Sequence, residues 1–148
     1  MVEDILLSEE NKAIARRWID EIWSEGNMAT IDELFATDFI FHYPSPGVEP
    51  NLEGYKQWVT MGGNAFPGTY TIEDMIAEGD KVMARWSFSG THKGEFMGVS
   101  PTGKQVTMTG ISISRIVGGK IVEEWGVNDD LGLMQQLGVI PPPEQTKK

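Results

Sequence analysis

The chain has 148 residues, 40% hydrophobic and 23% charged, with no cysteine and a formal net charge of −10. That suffices for one domain with a real core and excludes disulfides and thiolate chemistry. So acidic a chain argues against nucleic acid and against an anionic membrane surface, since both need a positive protein face. It has no apolar run of about 18 residues, no signal-like start at Met1-Val2-Glu3-Asp4 and no Asn-x-Ser/Thr acceptor, so a cytoplasmic protein is expected.

Ser8 reads as an N-cap, with Glu9 and Glu10 suited to a helix N-terminus. Ile14, Ala15, Trp18, Ile19, Ile22 and Trp23 then recur at helical spacing up to Gly26. A second short helix is predicted after Asn27, with Met28, Ile31, Leu34 and Phe35 on one side. Asp38 to Tyr43 reads as a short strand that stops at the loop Pro44-Ser45-Pro46-Gly47. A third helix is predicted from Glu53 to Ala65, ending before Pro67-Gly68. Four long segments rich in β-branched and aromatic residues follow: Thr69 to Ala77, Lys81 to Gly90, Lys104 to Val117 and Lys120 to Asn128. Glu78-Gly79-Asp80 and Gly118-Gly119 are hairpin turns between them. A final helix is predicted over Asp129 to Leu137, and 139–148, with Pro141-Pro142-Pro143, reads as a flexible tail. The plan is α+β: three N-terminal helices on a strongly curved antiparallel sheet, a short C-terminal helix, and one domain whose core spans about 8–138.

Several short motifs match a known family in their order along the chain. They include Asn11-Lys12-Ala13-Ile14, Ala77-Glu78-Gly79-Asp80-Lys81-Val82, the loop around His92, Gly119-Lys120-Ile121 and Gln136-Leu137-Gly138. Through them the chain resembles the SnoaL-like polyketide cyclases of the NTF2-like α+β cone from about Asn11 to Gly138. The resemblance implies one deep pocket for a small hydrophobic molecule. It also implies an aspartate on the last strand as general acid/base, and that position is Gly126 here. The family's cavity-lining polar positions on the preceding strand fall on Gly110 and Ser112. A glycine can neither give nor take a proton, so the family mechanism does not transfer residue by residue.

If Gly126 faces the cavity, alternation turns Val122, Glu124 and Asn128 the same way and Ile121, Glu123, Trp125 and Val127 the other. On the preceding strand Met108, Gly110, Ser112 and Ser114 face in. Thr107, Thr109, Ile111 and Ile113 face out, which suits a homodimer through the convex face. Glu124 is the first candidate acid/base: in an apolar cavity its pKa rises toward neutrality, whereas at the mouth or beside a partner it is merely a solvated carboxylate. Asp129 is either a helix N-cap or a catalytic group at the cavity mouth. His42, where the cavity is expected to open, is a candidate proton shuttle, and His92 is expected at the rim against the ligand. Trp86 and Phe88 read as an apolar wall with Arg85 turned outward; the alternative turns Arg85 in to hold an anion. Tyr43, Ser112, Asn128, Gly110 and Gly126 complete the expected lining.

No phosphate loop, Rossmann fingerprint, Gly-x-Ser-x-Gly elbow or His-Glu-x-x-His spacing occurs, so neither a cofactor nor a metal is expected. Two functions remain: a cofactor-independent enzyme of the cyclase, isomerase or hydrolase type, and a non-catalytic carrier of a hydrophobic metabolite.

Overall fold

The structure, a computed structural model, describes residues 1–42, 46–141 and 143–144. Helix α1 (Val2–Arg17) runs directly into a π-helical segment, Trp18–Ser24. Helix α1 therefore starts before Ser8, which lies in its middle. Glu3 and Asp4 occupy the first turn, where they meet the helix dipole, and Asp4 holds the Met1 amino group at 3.4 Å. Helix α2 (Met28–Leu34) leads into strand β1 (Phe35–Phe41), and α3 (Leu52–Ala65) follows the proline-rich loop. Strands β2 (Gly68–Glu78), β3 (Lys81–Thr91), β4 (Gln105–Val117) and β5 (Lys120–Asn128) form the meander, and α4 (Asp130–Gln136) closes the fold.

The five strands form one sheet in the order β1-β5-β4-β3-β2. It is mixed rather than wholly antiparallel, because β1 pairs with β5 in parallel. No hairpin joins those two strands, so no turn dictates their relative direction. The β4–β5 hairpin turns on Gly118 and Gly119, both with positive φ (58° and 77°), the backbone of a two-residue primed turn. Register shifts interrupt the β2–β3, β4–β5 and β1–β5 ladders, and such bulges bend a sheet.

One shift corrects the alternation expected for β5. Glu123 pairs with Arg115 but Ile121 pairs with Ile116, so Val122 is an extra residue. Ile121 therefore turns into the core, fully buried, instead of outward. The bulge precedes Glu124, so the facing of Glu124, Gly126 and Asn128 stands. The core has two parts. Ile19, Ile22, Ile31, Phe39 and Ile121 pack between the helices and the sheet, while Trp86, Phe88, Phe96 and Leu133 form a second cluster toward α4. Among the described residues, no helix is long and apolar enough to cross a membrane.

Candidate functional site

Between the helices and the inner face of the sheet lies a cavity. Its walls are aromatic: Trp23, Trp58 and Phe66 from the helical side, Tyr70, Trp86 and Phe88 from β2 and β3. Alternation along β3 places Val82, Ala84, Trp86 and Phe88 on the buried face. Arg85, between them, faces outward, where its Nε donates to Asp74 at 2.7 Å. The floor comes from β4 and β5, whose register sets Ser112 opposite Gly126 and Ser114 opposite Glu124.

Glu124 is the group that gives this cavity a chemistry. It is 6% exposed, and burial raises its pKa to about 8, an effect partly offset by the nearby Tyr55 hydroxyl. A carboxyl with that pKa exchanges its proton near neutral pH, which is what a general acid or base needs. Its Oε2 is sealed from solvent and no protein donor meets it at ordinary hydrogen-bond geometry; the Ser112 hydroxyl is likewise buried without a partner. Oε1 borders the floor beside Gly126, 4.0 Å from where a Cβ on that glycine would stand. Among the described lining residues the only carboxylate besides Glu124 is Asp130, and there is no Lys, Arg or His.

The two glycines of the floor serve opposite purposes. A Cβ on Gly110 would stand 2.2 Å from the Trp86 ring, so this glycine seats the indole and does not itself line the cavity. At Gly126 an added Cβ would meet the Ile111 carbonyl oxygen at 3.7 Å, an ordinary contact, so this glycine leaves usable space beside Glu124.

A family model for SnoaL-like polyketide cyclases matches residues 13–137. The chain belongs to that family. It is 34% identical over 110 residues to aklanonic acid methyl ester cyclase DauD of Streptomyces sp. strain C5, which covers 68% of each chain. Among solved structures, AclR from Streptomyces galilaeus superposes with a TM-score of 0.82 at 29% identity, over 93% of this chain and 87% of the other. IdmH from Streptomyces antibioticus gives a TM-score of 0.76 at 34% identity, over 87% and 99%. The α+β cone expected from the motifs is thus the fold, with a mixed sheet.

Within this SnoaL-like fold the expected site residues separate. Glu124, Ser112, Asn128, Gly126, Trp86 and Phe88 come together on the cavity wall. His42 does not join them. It lies on the opposite side of β5, sharing a 2.7 Å hydrogen bond with Glu123 and stacked 4.8 Å from Trp125. β1 joins the sheet beside β5, and its last residues run past the outward-facing side chains of that strand. Nor is His92 at the rim. It is fully buried, stacked on Phe66, and its Nδ1 accepts the Thr102 amide at 3.1 Å, which pins its own loop. Asp129 is the N-cap of α4, its Oδ1 accepting from the Gly132 amide at 2.9 Å. Tyr43 lies outside the described residues. Among the described residues no group of three or more His, Cys, Asp or Glu is placed to hold a metal ion.

Sequence reasoning missed Tyr55. It is fully buried, faces Glu124, and accepts hydrogen bonds from the indoles of Trp18 (2.6 Å) and Trp23 (3.0 Å). A signal was available: Tyr55 stands among Leu52, Trp58 and Val59 on the apolar face of α3, and a hydroxyl there must find partners. Asp130 was passed over for its neighbour Asp129, since a cap and a mouth residue one position apart look alike in sequence.

Proposed function

We propose that this chain is a cofactor-independent cyclase in which Glu124 handles the proton. The ligand is a small hydrophobic carbonyl compound, in the manner of the aromatic polyketide ester for which the relative DauD is named. One observation carries the reading: a carboxyl with a pKa near neutrality, in an aromatic-walled cavity, beside the space left by Gly126. The aspartate of the characterised cyclases has moved, in effect, two residues back along the same face of β5.

The steps balance without an outside oxidant or reductant. Ionised Glu124 takes a proton from a carbon activated by neighbouring carbonyls. The enolate oxygen is held by the Ser112 hydroxyl, with Asn128 as a second donor toward the mouth. The carbanionic carbon attacks a second carbonyl, a carbon–carbon bond forms, and Glu124 returns its proton to the new alkoxide. The aromatic walls orient the chain for attack and exclude water.

The test uses aklanonic acid methyl ester as the first substrate, followed by other open-chain polyketide esters, with the ring-closed isomer detected by chromatography at unchanged mass. Closure by the wild type and its loss in Glu124→Gln support the reading. No closure across the series, or full activity in Glu124→Gln, overturns it. We also propose a homodimer through the convex face, where Ile111 and Val127 are exposed, 47% and 70%, as adjacent cross-strand partners. Sedimentation of Val127→Glu as a monomer, against a dimeric wild type, checks that.

A further inference from the structure

We propose that Trp23 sets the length of ligand this cavity accepts: with Phe66 it forms a two-ring wall that shuts the cavity off from a groove on the outer surface. The inference rests on the cavity as the ligand site and not on the chemistry assigned to Glu124.

The wall is defined by what its two sides meet. Trp23 and Phe66 line the cavity, and they also line a groove between the end of the π-helical segment, α3 and the start of β2. Among the described residues, these two are the ones that both hollows share. Ser24, Met28, Thr60, Asn64 and Pro67 belong to the groove alone. Along α3 the boundary falls between neighbours, since Gly62 lines the cavity and Gly63 the groove.

Winding and packing hold Trp23 in that position. In an α-helix, residues five apart project about 140° apart. In the π-helical stretch, hydrogen bonds reach back five residues, as from the Glu25 amide to the Asp20 carbonyl at 3.1 Å. Trp23 accordingly returns to the side of Trp18, and both indoles donate to the Tyr55 hydroxyl oxygen, at 3.0 and 2.6 Å. The other edges of the ring are fixed by contact. Trp23 lies 5.6 Å from the Tyr70 ring, tilted by 54°. Its six-membered ring runs so close to Gly62 that a Cβ there would stand 3.3 Å from Cζ3, and glycine permits that approach. The next residue, Ser24, ties the segment to β2, its Oγ accepting the Tyr70 amide at 2.9 Å. Phe66 is held from outside the cavity, stacked 4.9 Å from His92 and edge-on to Phe96 at 4.9 Å. Rings gripped in this way select by clash: a ligand that ends at the wall fits, and one that would run past it is refused. Truncating Trp23 joins cavity and groove into one channel.

The test uses two neutral fluorescent ketones with the same aromatic head, prodan with a propionyl chain and laurdan with a dodecanoyl chain, and needs no turnover. In an open apolar site the added methylenes favour laurdan. The wild type is expected to reverse that order, binding prodan and holding laurdan at least about tenfold more weakly. Trp23→Ala should raise laurdan affinity by about tenfold or more and leave prodan within about threefold. Trp58→Ala truncates a ring that lines the cavity but not the groove, so laurdan should stay excluded. A wild type that binds laurdan as tightly as prodan, or binds neither, would overturn the wall. So would an equal gain for laurdan in Trp23→Ala and Trp58→Ala, or no gain in folded Trp23→Ala. If Trp23→Ala does not fold, Phe66→Ala opens the other half of the wall with the same expected gain, and the wild-type order of the two ketones still decides. Full turnover in Glu124→Gln would remove the proposed function and leave the wall standing.

Discussion

Glu123 and Glu124 are consecutive residues on one strand, and they have opposite chemistry. Glu123 faces out, where hydrogen bonds from His42 and then from Arg115 (Nη2 at 2.6 Å) hold its pKa below the ordinary carboxylate value. Glu124 faces in, where burial raises its pKa to about 8. The residue type is identical and the backbone is shared, so the difference lies wholly in what each side chain meets. Proton-transfer chemistry at neutral pH comes from withholding charged partners, not from supplying them.

Substitution of each glutamate in turn breaks the comparison most sharply. Glu124→Gln is expected to lower turnover of a cyclisable polyketide ester by roughly 10²- to 10⁴-fold, the usual worth of a general acid/base. Glu123→Gln should leave kcat/KM nearly unchanged, since its side chain is not on the cavity lining. Equal losses in the two variants would mean that β5, and not a particular carboxyl, is what matters. The wild-type rate should follow the same group, with kcat/KM inflecting near pH 8 and the inflection absent in Glu124→Gln.

Stability against pH separates the pair a second time. The folded-state pKa of Glu124 lies above its ordinary 4.5, so between those values the folded chain binds more protons than the unfolded one. Its contribution is present below pH 4.5 and is lost as pH rises through about 8. Glu124→Gln should therefore gain relative to wild type over that window, by at most on the order of 5 kcal/mol. For Glu123 the sign reverses: its pKa is lowered on folding, so its contribution is present above its unfolded value and is lost as pH falls through the folded one. Urea unfolding of both variants at a series of pH values checks the two windows. A flat difference for Glu124→Gln would mean that the carboxyl is not buried as described.

How far the pair could be read in advance differs for fold and site. Strand alternation placed Glu124 inward because it was counted from Gly126, on the same side of the bulge, and the motif order carried the fold. The same alternation failed at Ile121, because a bulge leaves no mark in the residue types around it. His42 misled because β1 joins β5 in parallel, and the pairing partner of an edge strand is a long-range choice. Tyr55 could be placed on the apolar face of α3, but its partners could not, because Trp18 and Trp23 are residues that a regular helix would point apart.

The floor glycines extend the contrast from carboxyls to space. Gly110→Ala would drive a methyl to within 2.2 Å of the Trp86 ring. It should cost about 1–3 kcal/mol, as overpacking does, and push the indole into the cavity. Thermal unfolding, with a drop in ligand affinity, checks both effects.

Gly126→Ala is the smallest change and the most discriminating. No positive φ is required there, and the nearest neighbours of the new methyl stand at 3.7 and 4.0 Å. Removing a glycine where alanine fits stabilises by about 0.4–1 kcal/mol through the unfolded chain. The fold should therefore gain slightly while the space beside Oε1 shrinks. If the gap at Gly126 is where the reacting carbonyl lies, turnover falls although stability rises, and the loss appears in kcat more than in KM, because the methyl displaces the reacting group and leaves the aromatic walls intact. If turnover survives, the carbonyl is held elsewhere along the wall, and Glu124 must act across a longer path than the structure offers.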